Sequence, residues 1–223
     1  MPFRIKIISP LEASEADLNR RQQRYSQQAR ADTRLIVENL SGGPAALNTA
    51  GDVLSSAAAI FQQGKGTLLD DFDAILIDCV FDPAVEELRE ATGLPTFGPT
   101  RVTLPLIPLV SPNFSIIART TRQCELLADL VNGYGYASHL CSFRALDITY
   151  EEAKQIEIFD QVMSERLGQA ILKDGAQAIM FGSTTMALSD SIRASAHGIP
   201  LFMPGMVALG VMEQLWFDGL WSG

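Results

Sequence analysis

Short apolar runs alternate along the chain with longer stretches in which apolar positions recur every three or four residues. The runs at 3–9, 33–39, 73–78, 94–97, 113–118, 138–145, 177–181 and 199–203 predict strands. Helical patterns fall between them, near 14–30, 47–63, 83–92, 100–110, 121–132, 151–173, 186–197 and 205–218. Regular alternation of this kind predicts βαβ units and an α/β fold with mainly parallel sheets. Ala74, Ile75, Leu76 and Ile77 are apolar without alternation, as are Ala178, Ile179, Met180 and Phe181. Such strands are buried on both faces.

The two halves repeat one another. Asp73-Ala-Ile-Leu-Ile-Asp-Cys79 is followed by a helical stretch and Gly93-Leu-Pro-Thr-Phe97; Gln177-Ala-Ile-Met-Phe-Gly-Ser183 is followed by another and Gly198-Ile-Pro-Leu-Phe202. A weaker echo pairs Phe3–Ser9 with Phe114–Thr120. The common order implies two pseudo-symmetric α/β lobes, with 1–97 plus 205–223 in the first and 98–204 in the second. In open α/β sheets, ligands bind beyond the carboxyl ends of the strands. Cys79 and Ser183 hold equivalent strand-end positions, so the expected site is a crevice between the lobes in which these two side chains face each other.

Composition narrows the function. With 17 Lys and Arg against 26 Asp and Glu, the net charge is -9, and no basic stripe is available to neutralise phosphates. This argues against a nucleic-acid partner. No apolar run approaches the roughly 20 residues of a membrane span, and the first residues lack a signal peptide's apolar core and cleavage site. The expectation is a cytoplasmic protein with reduced thiols. Cys79, Cys124 and Cys141 are widely spaced, and His139 and His197 complete no zinc signature, so no metal is expected.

The turn after Cys79 predicts its own chemistry. Asp82 and Pro83 read as an N-cap and a first helical position, and Gly93 as the helix stop. Unpaired N–H groups of that helix would favour an anion, either a substrate carboxylate or the Cys79 thiolate. Ser183, Thr184 and Thr185 precede the corresponding predicted helix and offer hydroxyls and N–H groups to a second anionic group.

These residues resemble a known superfamily. Asp78-Cys-Val-Phe-Asp-Pro83 is similar to the Cys-x-x-Asp-Pro signature of hydantoin and allantoin racemases, within the aspartate/glutamate racemase superfamily. Leu88-Arg-Glu90, Leu94-Pro-Thr-Phe-Gly98, Phe114-Ser-Ile-Ile117 with Thr120 and Thr121, and the Gly198-Ile-Pro200 strand also fit it. The resemblance implies cofactor-free racemisation by two cysteines. One thiolate removes the Cα proton and the opposite thiol returns one to the other face. A helix N-terminus lowers a thiol pKa from about 8.5, which lets thiolate and thiol coexist near neutral pH. The family carries Gly-Cys-(Ala/Gly)-Gly-Met where this chain has Gly182-Ser-Thr-Thr-Met186, and Asn-Pro-Asn-Thr where it has Ser9-Pro-Leu-Glu12. A serine hydroxyl is far too weak a base to deprotonate Cα unaided.

The resemblance implies Cys79 and Ser183 as catalytic residues. Ser9, Val80, Phe81, Thr120, Thr121, Thr184 and Thr185 are the implied contacts to a small carboxylate or hydantoin-like substrate. One-cysteine chemistry is the alternative: decarboxylation, or cis–trans isomerisation of a small dicarboxylate. A non-catalytic ligand-binding homologue is the third. Ser183 reads equally as a helix N-cap, and Thr120 and Thr121 equally as a helix start. Cys124 and Cys141 read as core, His197 as a helix-end group, and Arg119 and Arg122 as solvated surface. The Arg- and Gln-rich stretch 14–30 reads as a solvated helix face. Leu215, Trp216, Leu220 and Trp221 read either as core or as a homo-oligomer contact.

Overall fold

The computed structural model describes residues 1–221. Among the described residues, eight strands form two four-stranded sheets, every pairing parallel. The first contains β1 (Phe3–Ile8), β2 (Thr33–Glu38), β3 (Ala74–Ile77) and β4 (Thr96–Phe97), in the order β2-β1-β3-β4. The second contains β5 (Phe114–Ala118), β6 (Leu140–Ala145), β7 (Ile179–Gly182) and β8 (Leu201–Phe202), in the order β6-β5-β7-β8. The two orders are the same, strand for strand. Parallel neighbours need crossover connections, and helices supply them: α1 (Glu15–Gln28), α2 (Ala50–Gly64), α3 (Val85–Thr92), α4 (Pro99–Thr103), α5 (Thr121–Gly133), α6 (Tyr150–Ala153), α7 (Ile156–Leu172), α8 (Asp190–Ser195) and α9 (Pro204–Phe217).

Local chemistry sets several helix starts. The Ser14 side chain accepts from the Asp17 N–H at the head of α1, and Thr49 with Asp52 forms a reciprocal capping box at α2. Three sequence expectations shift. The stretch 100–110 is a short α4 followed by a 3₁₀ helix over Leu104–Leu109, because Pro105 and Pro108 remove the N–H groups an α-helix needs. The stretch 151–173 divides into α6 and α7. The stretch 186–197 is helical only from Asp190, where Ser189 is the N-cap: its hydroxyl accepts from the Ile192 N–H and donates to Asp160 of α7.

The chain forms two compact units, Met1–Val102 with the chain from Gly205 on, and Thr103–Pro204. Each has its own core. In the first, Phe3, Ile5, Ile7, Val37, Ala74 and Leu76 pack with Tyr25 of α1 and with Ala208, Leu209 and Met212 of α9. In the second, Ile117, Ile179 and Phe181 pack with Met163, Leu167 and Ala170 of α7. Full burial of such a side chain is worth about 1.5–3 kcal/mol.

Pairing registers test the internal repeat residue by residue. Ile75 and Leu76 face Thr96 and Phe97; Ile179 and Met180 face Leu201 and Phe202. The Ile75 N–H donates to Pro95 and the Ile179 N–H to Pro200, each at 2.9 Å. Gly93 (φ 71°) and Gly198 (φ 82°) both occupy the left-handed region just before these strands, which glycine enters without a Cβ penalty. The stronger repeat is therefore in register, and Cys79 and Ser183 are equivalent positions. The weaker echo is two residues out. Ile7 pairs with Leu76 as Ile116 pairs with Met180, so Ile7 corresponds to Ile116 rather than to Ala118.

Candidate functional site

Two groups of residues stand at equivalent strand ends, one in each lobe. In the first, Cys79 follows β3. Its N–H donates to the Ile77 carbonyl at 2.8 Å, and its own carbonyl accepts from Asp82 at 3.2 Å, closing a tight turn. The thiol is only 3% exposed. Burial pushes it well above its ordinary value, with Asp82 and Asp78 adding to the rise; the Phe81 N–H and Arg21 oppose it. The neutral thiol is therefore the resting form. A thiolate stabilised by the helix that follows is not what this turn holds.

The reason is visible in the turn. Asp82 does not cap α3, whose N-cap is Ala84 at φ 59° with no side-chain hydrogen bond. The Asp82 carboxylate instead accepts from the Thr100 N–H at 3.1 Å and the Arg101 N–H at 2.7 Å, and so caps α4. The Thr100 hydroxyl donates to the Val80 carbonyl at 2.6 Å. Gly98 leaves room for this: a Cβ there would lie 2.4 Å from Asp82 Cγ. Val80 and Phe81 are themselves buried.

Behind Cys79 lies an ionic group whose cations sit on α1, in the stretch expected to be a solvated face. Asp78, 1% exposed, receives Arg21 Nη1 at 2.6 Å and the Tyr25 hydroxyl at 2.7 Å. Arg21, 6% exposed, also donates through Nε to Asp17 at 2.9 Å. Arg24 Nη2 is 3.9 Å from Asp78. Burial would lower the Arg21 pKa, but Asp78 and Asp17 together raise it, so it is a fixed cation. The signal available in the sequence was spacing: Asp17, Arg21 and Tyr25 recur every four residues and share one face of α1.

In the second lobe, Ser183 follows β7. Its oxygen accepts from the Thr185 N–H at 3.2 Å and, at 3.4 Å, from Arg119 Nε. Thr185 Oγ1 is 3.0 Å from the Ser183 hydroxyl and accepts from Arg119 Nη2 at 2.8 Å. Ser183 thus caps no helix, that role having passed to Ser189. Arg119 is half-buried against the two hydroxyls rather than solvated surface. Thr184 is buried beside them.

The remaining predicted contacts are structural in their visible bonds. Ser9 is fully buried and donates to the Leu11 carbonyl at 2.9 Å. Thr120 is the N-cap of α5 and accepts from Gln123. Thr121 gives its N–H and its hydroxyl to Asp147. It also lines a groove with Cys124, Glu125, Ala128, Phe143 and Ala145. Burial pushes the Cys124 thiol up to about 11, with Asp147 adding to the rise. Among the described residues, no cluster of His, Cys, Asp and Glu could hold a metal, and no helix is long and apolar enough to cross a membrane.

A family model described as Asp/Glu/Hydantoin racemase matches residues 5–211. The chain is 26% identical over 189 residues to a hydantoin racemase of Rhizobium meliloti, covering 83% of this chain and 77% of that protein. The structure of an allantoin racemase from Klebsiella pneumoniae has the same fold, with a TM-score of 0.86 at 22% identity over 97% of this chain and 89% of that one. A double variant of arylmalonate decarboxylase in its liganded form, with one glycine-to-cysteine and one cysteine-to-serine change, has a TM-score of 0.70 at 16% identity, over 98% and 94%.

Proposed function

Because this chain belongs to the Asp/Glu/hydantoin racemase family, we propose that it is a cofactor-independent racemase or isomerase acting next to a carboxylate or carbonyl, on an amino-acid or hydantoin-type substrate. Cys79 is its acid/base. The observation that carries this reading is the Cys79 thiol at a strand end in the first lobe, in a turn fixed by Asp82, Thr100 and Gly98. The thiolate form removes the Cα proton, and the electron pair delocalises into the adjacent carbonyl as an enolate. Hydrogen-bond donors stabilise that charge, and a proton returns to the carbon. Ser183 serves as a donor to substrate, and Thr184 and Thr185 support it.

A second reading is favoured by the protonation state. Burial keeps Cys79 as a thiol, and its equivalent in the second lobe is a serine. A one-cysteine decarboxylase uses such a group directly: the C–C bond breaks, carbon dioxide leaves, and the thiol protonates the carbanion that remains. A cis–trans isomerase of a small dicarboxylate also needs one cysteine.

The test is proton exchange in heavy water across amino acids, 5-substituted hydantoins, allantoin and small dicarboxylates, followed by NMR. Cys79→Ala is expected to lower exchange about 10²–10⁴-fold; full turnover by that variant overturns both readings. Deuteration with loss of optical activity supports racemisation. Deuteration with retained configuration, or release of carbon dioxide, supports the one-cysteine reading. Tight binding with no exchange identifies a non-catalytic homologue.

A further inference from the structure

Arg21 and Tyr25 reach from α1 to a carboxylate that solvent does not meet. Asp78 is buried and stands next to Cys79 in the chain. Its backbone N–H donates to the Ile8 carbonyl at 2.9 Å, which ties this strand end to β1. One carboxylate oxygen accepts from the Tyr25 hydroxyl at 2.7 Å, the other from Arg21 Nη1 at 2.6 Å. Burial, with Asp78 beside it, pushes the Tyr25 pKa well up, so the hydroxyl keeps the proton that it donates. Arg24 brings a second guanidinium to 3.9 Å from Asp78, and its Nε and Nη2 are buried with no hydrogen-bond partner. A buried ion pair is a weak source of stability, because desolvation offsets much of its attraction. Charges collected behind a candidate reactive thiol point instead to a use for their field.

The neighbouring sulfur feels that field. Asp82 and Asp78 act on Cys79 from its own turn, and Arg21 acts from α1. Asp82 is committed to the N–H groups of Thr100 and Arg101 on α4, and the Arg101 side chain pairs with Glu86 of α3. Asp17 shares Arg21 with Asp78. In a desolvated site little water lies between a charge and its neighbour to screen it. A carboxylate there favours the neutral thiol, and a guanidinium favours the thiolate. The 2.6 Å contact of Arg21 with Asp78 lets each mask part of the other's effect.

We propose that Asp78 and Arg21 are positioning residues for Cys79: the buried carboxylate holds the proton on sulfur, and the guanidinium eases its loss. Both act through the thiol and neither touches substrate. This rests on the reading of Cys79 as the acid/base and adds what sets its readiness to part with a proton. The balance of the two charges then decides how readily the thiol serves as a proton donor and how readily as a base.

The experiment is alkylation of the full chain by iodoacetamide between about pH 7 and 9, in a Cys124→Ala, Cys141→Ala parent, read by mass spectrometry. Only the thiolate reacts, so the rate reports how easily the proton leaves. Asp78→Asn is expected to react about tenfold faster than the parent, and Arg21→Met about tenfold more slowly, as when one neighbouring charge is removed from a desolvated site. Arg21→Lys, which keeps the charge, should stay within about threefold of the parent. A merely structural role predicts otherwise, because loosening the fold exposes the thiol and speeds alkylation in both variants. Rates of Asp78→Asn and Arg21→Met that move together, move in the reverse sense or stay within about twofold of the parent overturn the proposal. So does an Arg21→Lys rate as low as that of Arg21→Met. If Arg21→Met does not fold, Asp78→Asn decides alone. Its gain must hold at every urea concentration below its unfolding transition; a gain that grows with urea, or no gain, overturns the proposal. The measurement needs no substrate. Retained proton exchange in Cys79→Ala would therefore sink the function reading alone, whereas alkylation rates that move together would sink only this one.

Discussion

A buried thiol beside two carboxylates holds its proton, and Cys79 is such a thiol. Burial is the largest cause of its raised pKa, and the Phe81 N–H offsets only part. The ordinary value is 9.0, so well below that pH the native and unfolded thiols are both neutral. Above pH 9 the unfolded thiol ionises first, and stability is lost as pH rises toward the folded pKa. Reactivity follows the same sign. In a Cys124→Ala, Cys141→Ala background, iodoacetamide should modify Cys79 very slowly at pH 7. The rate should rise about tenfold per pH unit with no plateau through pH 9, because only the thiolate reacts. A plateau below pH 8, read by mass spectrometry, would contradict the buried neutral thiol. In the proposed reaction, any step that uses Cys79 as a base must therefore first remove its proton.

Helix α1 shows how one element can carry a second role inside its periodicity. Its Gln and Arg content reads as a solvated face, and most of it is. Yet the Arg21 and Tyr25 positions point at Asp78, the residue immediately before Cys79. Removing one partner of a buried ion pair leaves the other charged in a place water cannot reach. Arg21→Met should therefore lower the unfolding free energy by about 3–5 kcal/mol in urea titration. Adding Asp78→Asn to the same chain should recover part of that loss. Equal stability of Arg21→Met and wild type would show that the pair is not desolvated as described. The elements themselves were legible: all eight strands lie within the predicted runs or one residue beyond them. What was not legible was which polar side chain takes which N–H. Asp82 looked like the cap of α3 and caps α4, and Ser183 looked like a cap where Ser189 is one, because a carboxylate or hydroxyl goes to whichever donors the tertiary fold brings nearest.

For the molecule as a whole, the duplicated strand order means that one design problem is solved twice with different residues. The first lobe completes itself with the C-terminal helix α9. Trp216 stacks on Phe3 at 4.9 Å, and Trp221 meets Phe3 and Phe97. Trp216 and Trp221 thus pack against the core, while Leu220 remains exposed. Glu213, 3% exposed, accepts from the Arg30 N–H at 2.8 Å and the Thr33 hydroxyl at 2.5 Å. Glu213→Ala leaves both donors unsatisfied and should cost about 1–3 kcal/mol in chemical denaturation, with Trp fluorescence reporting the first lobe. A loss below a few tenths would mean that water replaces the carboxylate.

The order of apolar runs and the Gly-x-Pro repeats determined the parallel α/β fold and the equivalence of Cys79 and Ser183. Both follow from periodicity and from positions where only glycine or proline suits the backbone, which are local properties of the chain. Tertiary structure alone decided the protonation of Cys79, the burial of Arg21 against Asp78, and the seating of Arg119 on Ser183 and Thr185. Each depends on desolvation and on donors that lie up to 66 residues away in sequence. A pattern of residue types records what an element prefers, whereas the charge state of a buried group is set by the neighbours that folding brings to it.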